Sequence, residues 1–155
     1  MQRPPVASLL LLGGAAIVLV ACILRPWVSY TADAGEYVSH GLLAGRACTD
    51  VGCRSISVVS GHYGLAGTLA LAVFACALIG ALAAIASAIV LLRERTRLTV
   101  AVIAGASLAA VLALALFGQI GRDLVIARAA WVFFVGIAIV LAGSVVALAQ
   151  RRPVR

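Results

Sequence analysis

The segment Cys48-Thr-Asp-Val-Gly-Cys53 sets two thiols around turn-forming residues. Thiols so placed can close a structural disulfide, exchange with a partner's disulfide, or ligate a metal ion. The disulfide is the expected outcome in an exported segment, and so short a loop clamps a hairpin at a gain of about 3 kcal/mol or less. Exchange chemistry calls for a second redox pair beside a polar quinone site, which Cys22 and Cys76 do not supply. Cys22 falls near the end of one apolar run and Cys76 about 18 Å past Gly64 in another, beyond disulfide reach. Zinc would need His40, Cys48, Cys53 and His62 together, at a spacing that matches no compact finger. No metal, cofactor or catalytic residue is expected.

Transport would announce itself by an ionisable residue inside an apolar run, and there is none. Arg128 comes nearest. It reads as a snorkelling side chain paired with Asp123 or with Asp33 or Glu36, which would dock loop to helix; an anion-selective entrance of Arg25, Arg122 and Arg128 is the functional alternative.

The elements that must position these groups are four runs without Asp, Glu, Lys or Arg: 6–24, 64–92, 98–117 and 129–149. Each reaches about 28 Å or more at helical rise, enough for a hydrocarbon core of about 30 Å. With 65% hydrophobic residues, 11% charged and a mean hydropathy of +1.19, residues 1–155 are expected to form a single membrane domain with an outer loop at 25–62. That leaves no room for a separate soluble catalytic domain. The run at 64–92 is longer than the core requires, so one end must protrude.

The net charge of +7 sorts by membrane side. Arg3, Arg93, Arg95, Arg97, Arg151, Arg152 and Arg155 face one acid, Glu94, on one side; Arg25, Arg46, Arg54, Arg122 and Arg128 are nearly balanced by Asp33, Glu36, Asp50 and Asp123 on the other. This asymmetry places both termini in the cytoplasm of a plasma membrane and the loop outside. The basic ends then meet anionic lipid, and nucleic acid is not an expected partner. Trp27, Tyr30, Tyr63 and Trp131 fall where aromatic rings sit at headgroup level. All twelve basic residues are Arg, which suggests a GC-rich, bacterial coding bias. Leu19-Val20-Ala21-Cys22 also matches a lipoprotein cleavage signal, but the apolar run continues through Ile23 and Leu24 without a polar spacer, which favours a retained helix.

Small residues at four-residue spacing, Gly80, Ala84 and Ala88, Gly105, Ala109 and Ala113, and Gly143 with Ala147, allow close helix packing in lipid; an Ala-rich composition generates the same spacings. The short connection at 93–97 makes the second and third helices antiparallel neighbours in a left-handed bundle. Within the loop, 27–31, 37–43 and 54–59 have strand character and are expected to form a small antiparallel sheet.

Trp27, Gly41-Leu42-Leu43, Cys48 and Cys53, all between a first and a second membrane helix, resemble the first extracellular segment of the claudin and PMP22 tetraspan superfamily. That family pattern is a Trp, a Gly-Leu-Trp and two disulfide-bonded Cys on a small sheet. Leu43 departs from it, the Cys spacing is shorter, and the long helix is the second instead of the third. The resemblance implies an all-α membrane protein, a four-helix transmembrane bundle with a disulfide-clamped antiparallel β-sheet in its first extracytoplasmic loop, that makes lateral or trans contacts. The expected function is that of a non-enzymatic, claudin-like tetraspan or accessory subunit whose partners are the lipid bilayer and a membrane or envelope protein or a second copy. The alternatives are a membrane thiol–disulfide oxidoreductase and a small anion channel or transporter subunit.

Overall fold

The computed structural model describes residues 6–24, 26–31, 35–57, 64–89, 95–120 and 125–149. A charge-free run of Ala, Leu and Val offers the backbone no better hydrogen-bond partner than itself, and each run folds as a helix: α1 (Val6–Ile23), α2 (Gly64–Ile89), α3 (Arg95–Ile120) and α4 (Arg128–Ala149). All four are long and apolar enough to cross a membrane. Helices α1 and α4 match the expected runs to within one residue, and α3 differs more. Helix α3 extends three residues beyond the apolar run at each end, because a helical hydrogen bond needs no hydrophobic side chain. At 26 residues it equals the described part of α2; positions 90–92 lie outside the described residues.

Buried positions repeat at alternating intervals of three and four. Ala7, Leu11, Gly14, Val18 and Ala21 form the inner stripe of α1, and Thr99, Val102, Ala106, Ala109, Ala113 and Leu116 that of α3. This is the repeat of left-handed helical bundles. Helix α1 packs most extensively on α4 and α2 on α3, with α1–α2 and α3–α4 completing the ring. Size sorts against the usual direction: Ala70, Ala77, Ala81, Ala84, Ala106, Ala109 and Ala113 are buried, while Ile79, Leu82, Leu108, Val111 and Leu114 point outward. Water would favour the reverse arrangement.

Backbones come closest between α1 and α4. A Cβ on Gly14 would lie 2.7 Å from Val140 Cγ2 and 2.9 Å from the Val140 nitrogen; one on Gly136 would lie 3.0 Å from the Val18 nitrogen. These pairings run antiparallel along the two helices. Of the stripes read from the sequence, Gly143 with Ala147 lies on α4, where a Cβ on Gly143 would come within 3.2 Å of the Leu11 nitrogen of α1, and the other two lie in the α2–α3 seam. A Cβ on Gly105 would approach Gly80 Cα to 3.2 Å, Ala84 and Ala109 are fully buried, and Ala88 packs at the edge of the core.

A five-stranded antiparallel sheet sits at one end of the bundle. Its strands are β1 (Val28–Thr31), β2 (Tyr37–His40), β3 (Ala44–Thr49), β4 (Gly52–Ser57) and β5 (Val125–Ile126), in the order β4-β3-β2-β1-β5. Three strands were expected from the sequence. The segment 37–43 ends early because Leu42 and Leu43 occupy a tight turn closed by the Gly41 N–H donating to the Ala44 carbonyl at 2.9 Å. Strand β3 then follows, β4 begins two residues before the expected 54, and positions 58 and 59 lie outside the described residues.

Candidate functional site

The sheet meets the bundle at Trp27. Helix α1 ends at Ile23, its last carbonyls lack intrahelical donors, and the Trp27 indole Nε1–H donates to one of them, Ala21 O, at 2.7 Å. The ring lies 4.8 Å from that of Phe133 on α4, tilted by 55°. Its backbone ties two further segments: the Trp27 N–H donates to His40 O at 2.9 Å, and the Ala127 N–H donates to Trp27 O at 2.9 Å. One residue thus links α1, α4, β2 and the approach to α4. At 1% exposure Trp27 is a core residue. Trp131 is 61% exposed on the first turn of α4; Tyr63 lies outside the described residues.

The other motif residues divide at the β2–β3 turn. Leu42 is buried in the same cluster as Trp27, Val28 and Phe133, whereas Leu43 faces outward. Opposite this turn, Gly45 faces His40 across the β2–β3 pair, and a Cβ on Gly45 would collide with the His40 Cβ. Glycine is therefore required by the approach of the two strands.

Cys48 on β3 and Cys53 on β4 are directly opposed, Cα to Cα 4.0 Å, and are disulfide-bonded. Asp50 and Val51 form the tip, and the Thr49 hydroxyl donates to Gly52 O at 3.3 Å. The loop is short, so reduction, or replacement of both cysteines by Ser, is expected to cost about 2 kcal/mol and to leave the helices folded. Denaturant titration of oxidised and reduced protein, followed by helical circular dichroism, measures the difference. Cys22 and Cys76 are free thiols on α1 and α2, as their depths implied. Of the Cys2His2 set, both sulfurs are spent on each other and His62 lies outside the described residues.

His40 is buried at the sheet–bundle junction, with Tyr30 edge-on at 6.1 Å between ring centroids and Nδ1 3.2 Å from Gly41 O. Burial holds its pKa below the ordinary 6.5, against a smaller upward pull from the Gly41 carbonyl. The unfolded chain therefore binds this proton more tightly than the folded one. Stability is full above about pH 6.5 and is lost progressively as pH falls from there toward the lower folded-state value. Unfolding midpoints at pH 7.5 and 5.5 should differ for the wild type, and the difference should shrink in His40→Gln.

Of the three acids expected to pair with Arg128, only Glu36 is among the described residues. Glu36 accepts from Arg54 at 3.1 Å, an exposed pair, and is thereby engaged away from Arg128. Arg128 opens α4 as an exposed side chain with no carboxylate partner among the described residues. Arg25, Arg122, Asp33 and Asp123 lie outside them. Backbone docks loop to helix: β5 pairs with β1 at Val28–Ile126 and Ser29–Val125, two residues before α4 begins. Two adjacent apolar residues at the edge of a helical run carry no strand period, so the sequence held no signal for β5.

The arrangement offers a rigid, disulfide-clamped platform fixed to two helices. Among the described residues no cluster of three or more His, Cys, Asp or Glu side chains gathers. Comparison with known proteins finds no matching family model and no matching curated relative.

Proposed function

We propose that this chain is a non-enzymatic, multi-pass plasma-membrane protein whose sheet, on the outer side of the bilayer, is a contact surface for a membrane or envelope protein or a second copy of the chain. The observation that carries the reading is the pairing of a fixed base with an open surface. Trp27 and Leu42 anchor the sheet in the helix core, while Tyr37, Arg46, Val51 and Ser55 stand exposed on it. Outward-facing Leu, Val and Ile support lipid as the solvent of the helices. The excess of Arg at the termini and at 93–97 supports a cytoplasmic placement of both tails. The resemblance to the claudin and PMP22 superfamily enters as an architecture, a four-helix bundle carrying a clamped sheet, and as the kind of work such a sheet does.

A membrane-impermeant maleimide applied to intact cells after mild reduction should label Cys48 and Cys53, while a C-terminal epitope should stay hidden until permeabilisation. A photocrosslinker at Ser55 should yield one discrete adduct. An exposed C-terminal epitope would overturn the topology. Mixed disulfides of Cys53 with soluble proteins, and no adduct at Ser55, would replace the contact reading by thiol–disulfide exchange.

A further inference from the structure

The two Arg residues of the sheet lie on opposite faces and in opposite circumstances. Arg54, opposite Ala47, is neutralised by Glu36. Arg46 is one position out of phase and projects from the other face. The register sets it in a row across four strands: Ser29 opposite Ser39, Ser39 opposite Arg46, Arg46 opposite Ser55. Every side chain in that row can donate a hydrogen bond, and Arg46 is a full cation. Among the described residues no carboxylate shares the face; Glu36 is taken by Arg54, and Asp50 stands at the β3–β4 tip. Beside the row, Pro26, Ser39, Gly45 and Arg46 line an open cleft of about 300 Å³.

We propose that this cleft binds the phosphate of an anionic phospholipid with a hydroxylated headgroup. Arg46 supplies a planar fork for two phosphate oxygens, Ser39 donates a further hydrogen bond, and the exposed Ser55 hydroxyl beside Arg46 meets the headgroup polyol. A choline or ethanolamine headgroup would bring an ammonium group to a face with no carboxylate to receive it. The source of the phosphate follows from position, and this step rests on the membrane reading proposed above. Pro26 is three residues past the end of α1, at most about 10 Å of chain, which keeps the cleft near the headgroup layer.

Native mass spectrometry of the full chain in detergent, offered equal amounts of phosphatidylglycerol and phosphatidylcholine, tests the proposal. The wild type should retain phosphatidylglycerol about tenfold more than phosphatidylcholine. Arg46→Gln should lower that retention about tenfold or more, Arg46→Lys less, and Ser39→Ala about threefold. Arg54→Gln on the other face should leave it unchanged. The intact mass reports the Cys48–Cys53 bridge and circular dichroism the fold of each variant, with Ser39→Ala deciding alone if Arg46→Gln loses either. Wild-type retention in both Arg46→Gln and Ser39→Ala, or equal retention of the two lipids, would overturn the proposal. Displacement by glycerol phosphate at the lipid's own concentration would assign the cleft to a soluble phosphate ester and overturn the lipid source. Because binding in detergent does not depend on which side of the membrane the sheet faces, failure of the topology and failure of this site are read separately.

Discussion

Trp27→Ala is expected to cost about 3–5 kcal/mol. Three contributions add at one position. The indole is 1% exposed, so its removal opens a cavity at the joint between sheet and helices. The Ala21 carbonyl loses its indole donor at the end of α1, and Phe133 loses the ring that packs on it. The cavity cannot readily collapse, because the Trp27 backbone is bonded on both sides, to His40 and to Ala127. Trp27→Phe separates the contributions: it keeps most of the packing and loses the hydrogen bond, and should cost about 1–2 kcal/mol. Helical circular dichroism against denaturant in detergent measures both, and the fraction of Cys48–Cys53 bridge formed during expression should fall in the same order. A Trp27→Ala protein as stable as the wild type would mean that the sheet is held by something other than this residue.

The helices were legible because each carries an uninterrupted apolar run, a signal that survives any choice of window. Their limits were not, since Arg95 and Gln119 are compatible with a helix yet fall outside a criterion built on hydrophobicity. In the sheet, β4 announced itself by alternation at Ile56, whereas β3 is Ala-Gly-Arg-Ala-Cys-Thr, with small residues and a glycine where a strand signal needs branched ones. Its identity is tertiary: it is a strand because Cys53 and the β2 edge lie on either side of it. The disulfide was readable from two thiols and a turn. The ion pair was not, because four acids and five arginines in the outer segments allow many pairings and only the registers of β2 on β3 and of β3 on β4 together bring Arg54 near Glu36. Likewise Ser29, Ser39, Arg46 and Ser55 are scattered in sequence and become a row only once three strand registers are fixed.

The α1–α4 seam shows the same dependence on partner placement in two adjacent glycines with opposite expected behaviour. Gly13 has nothing within 4 Å of where a Cβ would stand, so Gly13→Ala should be neutral or stabilising by up to about 1 kcal/mol through helix propensity. Gly14→Ala gains the same propensity but drives its methyl to 2.7 Å from Val140 Cγ2, 2.9 Å from the Val140 nitrogen and 3.1 Å from Gly136 O. Two of those three atoms are backbone, so no rotamer change relieves the clash and the helices must separate. Separation at Gly14 also loosens the approach of Gly136 to Val18, one turn along the same seam, and withdraws α4 from the Trp27–Phe133 contact. A net loss of about 3 kcal/mol is expected for Gly14→Ala, against no loss for Gly13→Ala. The comparison holds composition, helix and depth constant, so equal unfolding midpoints for the two variants would place the close contact of α1 somewhere other than on α4.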